Sequence, residues 1–104
     1  DYDVIILDPP AFAKNQHARH QAVQAYKRLN ASAFKKIKSG GIMFTFSCSQ
    51  AVGPEFFTGA VTAAAIETQR KIRVLHHVYQ PADHPISIYH PEGLYLKGLV
   101  LQVE

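Results

Sequence analysis

The feature that most constrains the fold is the opening segment 3–12, which reads DVIILDPPAF. Its four consecutive apolar residues, 4–7, predict a short strand buried on both faces, as in a parallel sheet. Pro9 and Pro10 follow Asp8 at once and lack backbone donors, so the strand ends there. Ligands of open parallel sheets bind beyond the carboxyl ends of the strands. Asp8 is therefore either a carboxylate at a binding edge or a turn cap, and this segment alone favours neither.

Helix and strand patterns alternate along the rest of the chain. Apolar residues at spacings of three and four predict a helix over 17–38, and the following Ser-Gly-Gly, residues 39–41, is expected to cap it. Segment 42–47 (IMFTFS) predicts a second buried strand, which completes a parallel strand–helix–strand unit with a right-handed crossover. Asp8 and Cys48 then follow two parallel strands at the same edge of the sheet.

The second half of the chain predicts another helix and two further strands. Pro54 opens a helix of small residues, 72–79 (IRVLHHVY) predicts a strand, and 80–93 is a loop with three prolines. Because no helix fits in that loop, the final strand 94–103 is expected to pair antiparallel with a neighbour. We therefore predict a single α/β domain over 1–104, with about four strands in a partial Rossmann-like sheet and two main helices.

Composition narrows the class of protein. The chain is 47% hydrophobic and 18% charged, which is typical of a globular domain, and no apolar run or leader pattern indicates a membrane. Its one cysteine excludes an internal disulfide and favours the reducing cytoplasm. The chain starts with Asp1 rather than Met and enters a buried-type strand at once. We therefore expect a piece of a longer protein, whose exposed first strand could pair with a second copy.

Basic residues are concentrated between Asp8 and Glu55, where no acidic residue occurs. Seven of the eleven Lys and Arg residues lie there, together with His17 and His20: Lys14, Arg19, Lys27, Arg28, Lys35, Lys36 and Lys38. Such segregation beside Asp8 indicates a polyanion, RNA or DNA, as the partner. The alternative is an ordinary solvated helix face.

Two residue types could carry other chemistry. Cys48, between Ser47 and Ser49, is either an inert packing residue or a nucleophile at the ligand-binding edge. The six histidines show no zinc-type spacing, and His76 and His77 are consecutive in a strand and point to opposite faces. We therefore predict no metal site.

Four motifs together resemble the PUA-domain type of ribosomal RNA cytosine-5 methyltransferases, which are class I enzymes that use S-adenosylmethionine. They are DVIILDPPAF, AYKRLNASAFKKIKSGG, FTFSCS and PADHPISIYHPEGLYLKG, and they cover essentially the whole chain. DPP near an aromatic is shared with many amino-group methyltransferases, whereas its combination with SCS and the last motif is more specific. The resemblance implies that residues 1–104 are the carboxyl-terminal half of the methyltransferase catalytic domain.

The resemblance also implies roles for matching residues. Cys48 would attack C6 of the target cytosine, and Asp8 would engage the base at N3. The residues expected to contact the RNA substrate are Pro9, Pro10, Phe12, Lys14, Ser47 and Ser49, with Phe12 placed to stack on a flipped base. Some relatives carry Lys after DPP where this chain has Ala11, so that cation is either dispensable or replaced by Lys14.

Class I methyltransferases hold the methyl donor mostly on a glycine-rich loop and an acidic residue that are absent from this sequence. The cofactor-binding residues are therefore unknown apart from the vicinity of Asp8, and we expect the fragment alone to be inactive. Two alternatives stay open. One is methylation of an exocyclic amino group with Cys48 purely structural, and the other is a non-catalytic RNA-binding module that uses the basic helix.

Overall fold

The computed structural model describes residues 2–11, 16–49, 51–79 and 96–104. Four strands and two main helices confirm the predicted α/β class. In chain order the elements are β1 (Tyr2–Leu7), a 3-10 turn (Gln16–Ala18), α1 (Arg19–Lys36), β2 (Ile37–Ser47), α2 (Pro54–Thr68), β3 (Ile72–Tyr79) and β4 (Lys97–Val103).

The strands form one sheet in the order β1-β2-β4-β3. β1 and β2 are parallel neighbours, whereas β4 runs antiparallel between β2 and β3. Both predicted pairings are thus confirmed. The carboxyl ends of β1 and β2 and the start of β4 meet at one end of the sheet. We call this end the rim: residues 8–11 after β1, residues 48 and 49 after β2, and Lys97.

One face of the sheet is covered by the two helices, which pack against each other. The core contains residues of both helices and both central strands: Tyr26, Phe34, Met43, Phe57, Val61, Leu101 and Val103, each at most 1% exposed. The rings of Tyr26 and Phe57 meet edge to face, with centroids 5.8 Å apart. This packing fixes the middle of α1 directly below the end of β2 that leads to Cys48.

Burial of β1 differs from the two-sided burial that its apolar run predicts, whereas its exposure at an edge agrees with the expectation for this chain. Ile5 and Leu7 are half-buried, but Val4 and Ile6 are 53% and 66% exposed. The reason is position, because β1 is the edge strand of the described sheet and only its helix-facing side is covered. The apolar run 4–7 correctly predicted a strand. It did not predict that only one face of the strand is buried in this chain.

The end of α1 also differs from the prediction. Ile37 already has extended backbone (φ −83°, ψ 141°), so the glycines lie inside β2 and do not cap the helix. Gly40 adopts φ +85° where the β1–β2 register shifts, and a Cβ on Gly41 would lie 2.9 Å from the Asp3 carbonyl oxygen. Both glycines therefore serve a bulge that lets β2 approach β1 closely.

Arg70 supplies the contacts that a glycine cap would have made. Its Nη1 donates to the carbonyl oxygens of Phe34, at 2.6 Å, and Ile37, at 3.0 Å, and its Nε donates to that of Glu104, at 2.9 Å. The last carbonyls of a helix need partners outside the helix, and a distant arginine provides them here. No helix in the described ranges is both long and apolar enough to span a membrane.

Candidate active site at the rim of the sheet

Asp8 and Cys48 follow neighbouring parallel strands at the rim. The last pair of the β1–β2 ladder joins Leu7 to Thr45, so Asp8 comes one residue, and Cys48 three residues, beyond it. Both residues are exposed. The adjacency of the two strands is as predicted. A carboxylate and a thiol are thereby exposed to solvent at the same end of the sheet.

The serines on either side of Cys48 point into the protein. Ser47 Oγ donates to Tyr26 Oη at 2.9 Å, and a hydrogen bond of 2.7 Å joins Tyr26 Oη to Ser49 Oγ. The Ser49 backbone N–H donates to Ser47 Oγ at 3.3 Å, and both serines are at most 1% exposed. Because its two neighbours are fixed to the interior, Cys48 is presented outward. Contact of Ser47 and Ser49 with substrate stays a prediction.

The same network continues one layer deeper. Thr45 Oγ1 donates to Asn30 Oδ1 at 2.8 Å, and Asn30 Nδ2 donates to the Tyr26 carbonyl oxygen at 2.8 Å. Among the described residues, every buried side-chain nitrogen and oxygen has a hydrogen-bond partner. Fully satisfied buried networks rigidify the structure around them. α1 and β2 are therefore locked together directly beneath Cys48.

Lys97 is a site residue that sequence reasoning missed. It is 5% exposed, pairs with Ser47 in the β2–β4 ladder, and its Nζ donates to the Ser49 carbonyl oxygen at 3.1 Å. Burial lowers the pKa of Lys97, and the charge of Cys48 opposes part of that shift. A signal was present, because Lys97 is the one charged residue in the run LYLKGLVLQV. Lysine in such a strand is rarely buried without a reason.

The starts of the two helices form a wall beside the rim. Arg19 Nε donates to the Ala51 carbonyl oxygen at 2.7 Å, and its guanidinium lies 4.7 Å from the centroid of the Phe56 ring. Two hollows of about 330 and 380 Å³ share Arg19 and Phe56, and His17 and His20 line the second one. This wall is cationic and aromatic, which suits a nucleic-acid strand.

The structure corrects the expectation that the basic residues form one face beside Asp8. α1 starts at the rim and runs away from it, so Lys35 and Lys36 in its last turn lie about 25 Å further along the axis. Lys27 forms an ion pair with Glu67 at 3.8 Å, and Lys38 with Asp3 at 3.6 Å. Within the described part of α1 and its lead-in turn, only the basic residues of 17–20 (His17, Arg19 and His20) lie next to the rim.

The remaining predicted residues are distributed as follows. Pro9 is half-buried and Pro10 exposed, directly after Asp8. Phe12 and Lys14 lie outside the described residues, as do positions 80–95 with most of the last motif. In the ranges that are described, no three His, Cys, Asp or Glu residues lie close enough together to hold a metal ion.

No protein-family model matches the chain. It is similar to Ribosomal RNA large subunit methyltransferase I of Shewanella denitrificans, with 43% identity over 102 residues that cover 98% of this chain and 26% of the relative. The enzyme of the same name from Tolumonas auensis is 44% identical over 101 residues, covering 97% of this chain and 25% of its own length. The chain thus spans about a quarter of the length of the curated relatives it matches.

Two solved structures share the fold. One is SMU.776, a protein assigned as a methyltransferase and complexed with SAH, with a TM-score of 0.76, 20% identity, and coverage of 97% of this chain and 26% of its own. The other, assigned as a SAM-dependent methyltransferase of Streptococcus mutans, has a TM-score of 0.75, 18% identity, and coverage of 97% and 25%. The four-stranded sheet and its two helices therefore share the fold of the corresponding quarter of these two solved structures.

Proposed function

We propose that this chain is the carboxyl-terminal half of the catalytic domain of an S-adenosylmethionine-dependent methyltransferase. Its target is C5 of a cytosine in ribosomal RNA, and it acts in the cytoplasm, where an unpaired thiol stays reduced. The observation that carries the proposal is the exposed Cys48 beside the exposed Asp8, on neighbouring parallel strands. The named substrate of relatives that are 43% identical supports RNA as the partner.

The rim residues account for the covalent steps. The Cys48 thiolate attacks C6, and the displaced electron pair moves towards N3, where the Asp8 carboxyl group hydrogen-bonds the base and stabilises the adduct. S-adenosylmethionine, when bound, would supply the methyl group to the electron-rich C5 and would leave as S-adenosylhomocysteine. Water at the open rim then accepts the C5 proton, the C5–C6 double bond re-forms, and the C6–S bond breaks to return the thiolate. Asp8 is also suited to lie near the cationic sulfonium, although most of the donor site would come from residues beyond this chain.

The wall formed by the starts of α1 and α2 is suited to bind the RNA nucleotides on either side of the target base. The guanidinium of Arg19 and the ring of Phe56, which is 47% exposed, lie on the side of the rim that α2 contributes. Phosphates and unstacked bases bind such pairs of cationic and aromatic groups. Arg19 and Phe56 therefore complement the rim residues predicted from the sequence.

A trapping experiment tests the proposal. A complete methyltransferase that carries this segment is incubated with S-adenosylmethionine and RNA containing 5-fluorocytosine, whose C5 fluorine cannot leave as a proton does. A covalent protein–RNA complex that disappears in Cys48→Ala supports the proposal. Cys48→Ser, which is nearly isosteric, is the matched control for folding.

Two results would contradict the proposal in different ways. Methylation of an exocyclic amino group by Cys48→Ala, without any trapped complex, would identify an amino-group methyltransferase that uses the DPP motif. Salt-sensitive RNA binding without methyl transfer, unchanged in Asp8→Ala and Cys48→Ala, would identify a non-catalytic RNA-binding module.

We also propose that β1 can pair with a second copy of this chain. β1 is at the edge of the described sheet, and its side chains of Tyr2, Val4 and Ile6 are 56%, 53% and 66% exposed. An exposed, apolar edge strand is a template for pairing with another strand. The exposed face and the open edge of β1 together support a homodimer formed through this strand.

A further inference from the structure

Lys97 is buried next to the residues on either side of Cys48. Lys97 Nζ donates a hydrogen bond of 3.1 Å to the carbonyl oxygen of Ser49, the residue after Cys48. Its ladder partner in β2 is Ser47, the residue before Cys48. Removing an ammonium from water costs several kcal/mol unless polar groups compensate for it, so an apolar residue would be the simpler occupant of this position.

The electrostatic interaction between Lys97 and Cys48 runs in both directions. Negative charge on Cys48 raises the pKa of Lys97, against the larger lowering that burial causes. The Lys97 ammonium is held at the carbonyl oxygen of the residue that follows Cys48, and a cation in that place attracts negative charge that develops on the sulfur. The nucleophile of a cysteine is its thiolate, and nearby lysines are a known means of favouring that form.

We propose that Lys97 is a positioning residue whose ammonium, held at the backbone beside Cys48, stabilises negative charge on the Cys48 sulfur at the rim. This inference rests on the proposed function, in which the thiolate attacks C6 and is regenerated when the C6–S bond breaks. Lys97 assists both events without touching the base. It favours the anion before attack, and it favours the return of the electron pair to sulfur at the end.

Other ionisable groups at this end of the sheet have different contacts. Arg19 lies over Phe56, and the Tyr26 hydroxyl is hydrogen-bonded to Ser47 and Ser49. Asp8 follows β1, and Glu55 lies in the first turn of α2. His17 and His20 line the hollow at the start of α1, and these four complete the ionisable groups near the rim among the side chains that the structure describes. Lys97 is the cation in the described chain whose side chain is bonded to a residue adjoining Cys48.

The test measures how fast Cys48 reacts with iodoacetamide as a function of pH. Mass spectrometry follows alkylation in a complete methyltransferase that carries this segment, without RNA or methyl donor. Lys97→Met should slow alkylation at neutral pH about tenfold and move the half-maximal rate upward by about one pH unit. Lys97→Arg keeps the charge and should largely restore the wild-type profile. Lys36→Met removes an exposed lysine at the far end of α1 and should change nothing.

A further variant separates charge from hydrogen bonding. Lys97→Gln can still donate to the Ser49 carbonyl oxygen but carries no charge, and it should behave like Lys97→Met. A wild-type pH profile in folded Lys97→Gln or Lys97→Met would overturn the inference. The assay needs no RNA and no methyl donor, so its failure is distinct from failure of the proposed function, which the trapping experiment reports.

Discussion

Tyr26 Oη lies 2.7 Å from Ser49 Oγ in the core, and this hydrogen bond ties the middle of α1 to the residue that follows Cys48. The same hydroxyl accepts a hydrogen bond from Ser47, on the other side of Cys48. One buried phenol therefore sets the backbone path on both sides of the thiol. The position of the exposed Cys48 thiol therefore depends on buried hydrogen bonds. For this reason we expect substitutions in the core to change the reactivity of Cys48.

Tyr26→Phe should therefore affect stability and reactivity together. It leaves both serine hydroxyls without this partner in a dry environment, which we expect to lower the free energy of unfolding by about 1–3 kcal/mol. The rate of covalent adduct formation by Cys48 should fall as well, because the flanking backbone loses its anchor. Urea unfolding and the trapping assay measure the two effects. Tyr2→Phe removes an exposed hydroxyl and should leave both unchanged. Equal results for the two variants would refute the role of Tyr26.

The burial of Lys97 makes stability depend on pH. Its pKa in the folded protein is below the ordinary value of 10.5. Between these two values the unfolded chain holds a proton that the folded protein has released, so stability rises with pH across that interval. Lys97→Met lacks this contribution. Relative to that variant, the wild type should therefore gain stability as pH rises from neutral towards 10.5, in urea unfolding at a series of pH values. A constant or shrinking difference would contradict the assignment.

Arg70 should contribute far more to stability than its exposed neighbour Arg73. Arg70→Met removes the charged donor from three carbonyl oxygens and should lower the free energy of unfolding by about 2 kcal/mol. Arg73 forms only a long ion pair with Glu104, at 3.9 Å, and its side chain is 68% exposed. We expect Arg73→Met to cost less than about 0.5 kcal/mol. Thermal or urea unfolding distinguishes the two variants, and equal losses would refute the capping role of Arg70.

Substitution by alanine should lower stability at Gly41 and raise it at Gly59. Gly41→Ala places a Cβ 2.9 Å from the carbonyl oxygens of Asp3 and Lys38, so β1 and β2 must separate, and we expect a loss of about 2 kcal/mol. Gly59 lies inside α2, and an added methyl group there would meet no atom within 4 Å beyond the backbone of its own helix. Gly59→Ala should therefore stabilise the protein by about 0.5–1 kcal/mol. Loss of stability in both variants would show that helix propensity does not govern position 59.

The exposed edge at β1 predicts concentration-dependent association of this chain. Ile6→Lys places a charge on the open face of the edge strand, where its neighbours Val4 and Tyr2 are also exposed, and should shift sedimentation towards the monomer. Ile66→Lys is the control, because Ile66 is 72% exposed on α2, away from β1. A strictly monomeric wild type at high concentration would contradict pairing through β1.

Sequence patterns predicted the elements that depend on neighbours in the chain. The apolar runs at 4–7 and 42–47 indicated β1 and β2, and the helix between them required parallel pairing. The lack of space for a helix in 80–93 indicated that β4 is antiparallel. What no local pattern contains is the order of strands, and β4 enters between β2 and β3 because it can pair with both.

The errors at α1 and at Lys97 have one physical cause, which is contact between residues far apart in sequence. α1 ends at Lys36 because Arg70, more than 30 positions away, takes its last carbonyls. Lys97 donates a hydrogen bond to the carbonyl oxygen of Ser49, 48 positions earlier. Its place as the one charged residue of an apolar strand indicated burial, but it did not indicate this partner. The basic residues were counted correctly, yet their distance from Asp8 follows from the direction in which α1 runs.

The insertion of β4 between β2 and β3 has a consequence for the order of events during synthesis. β2 and β3 are joined only through β4, which is the last of the four strands to leave the ribosome. Until it docks, the ammonium of Lys97 is not beside Cys48, and the thiol of the nascent chain is unassisted. Under the proposed role of Lys97, docking of β4 both closes the sheet and brings the ammonium to Cys48, so a chain that has not finished folding lacks that assistance.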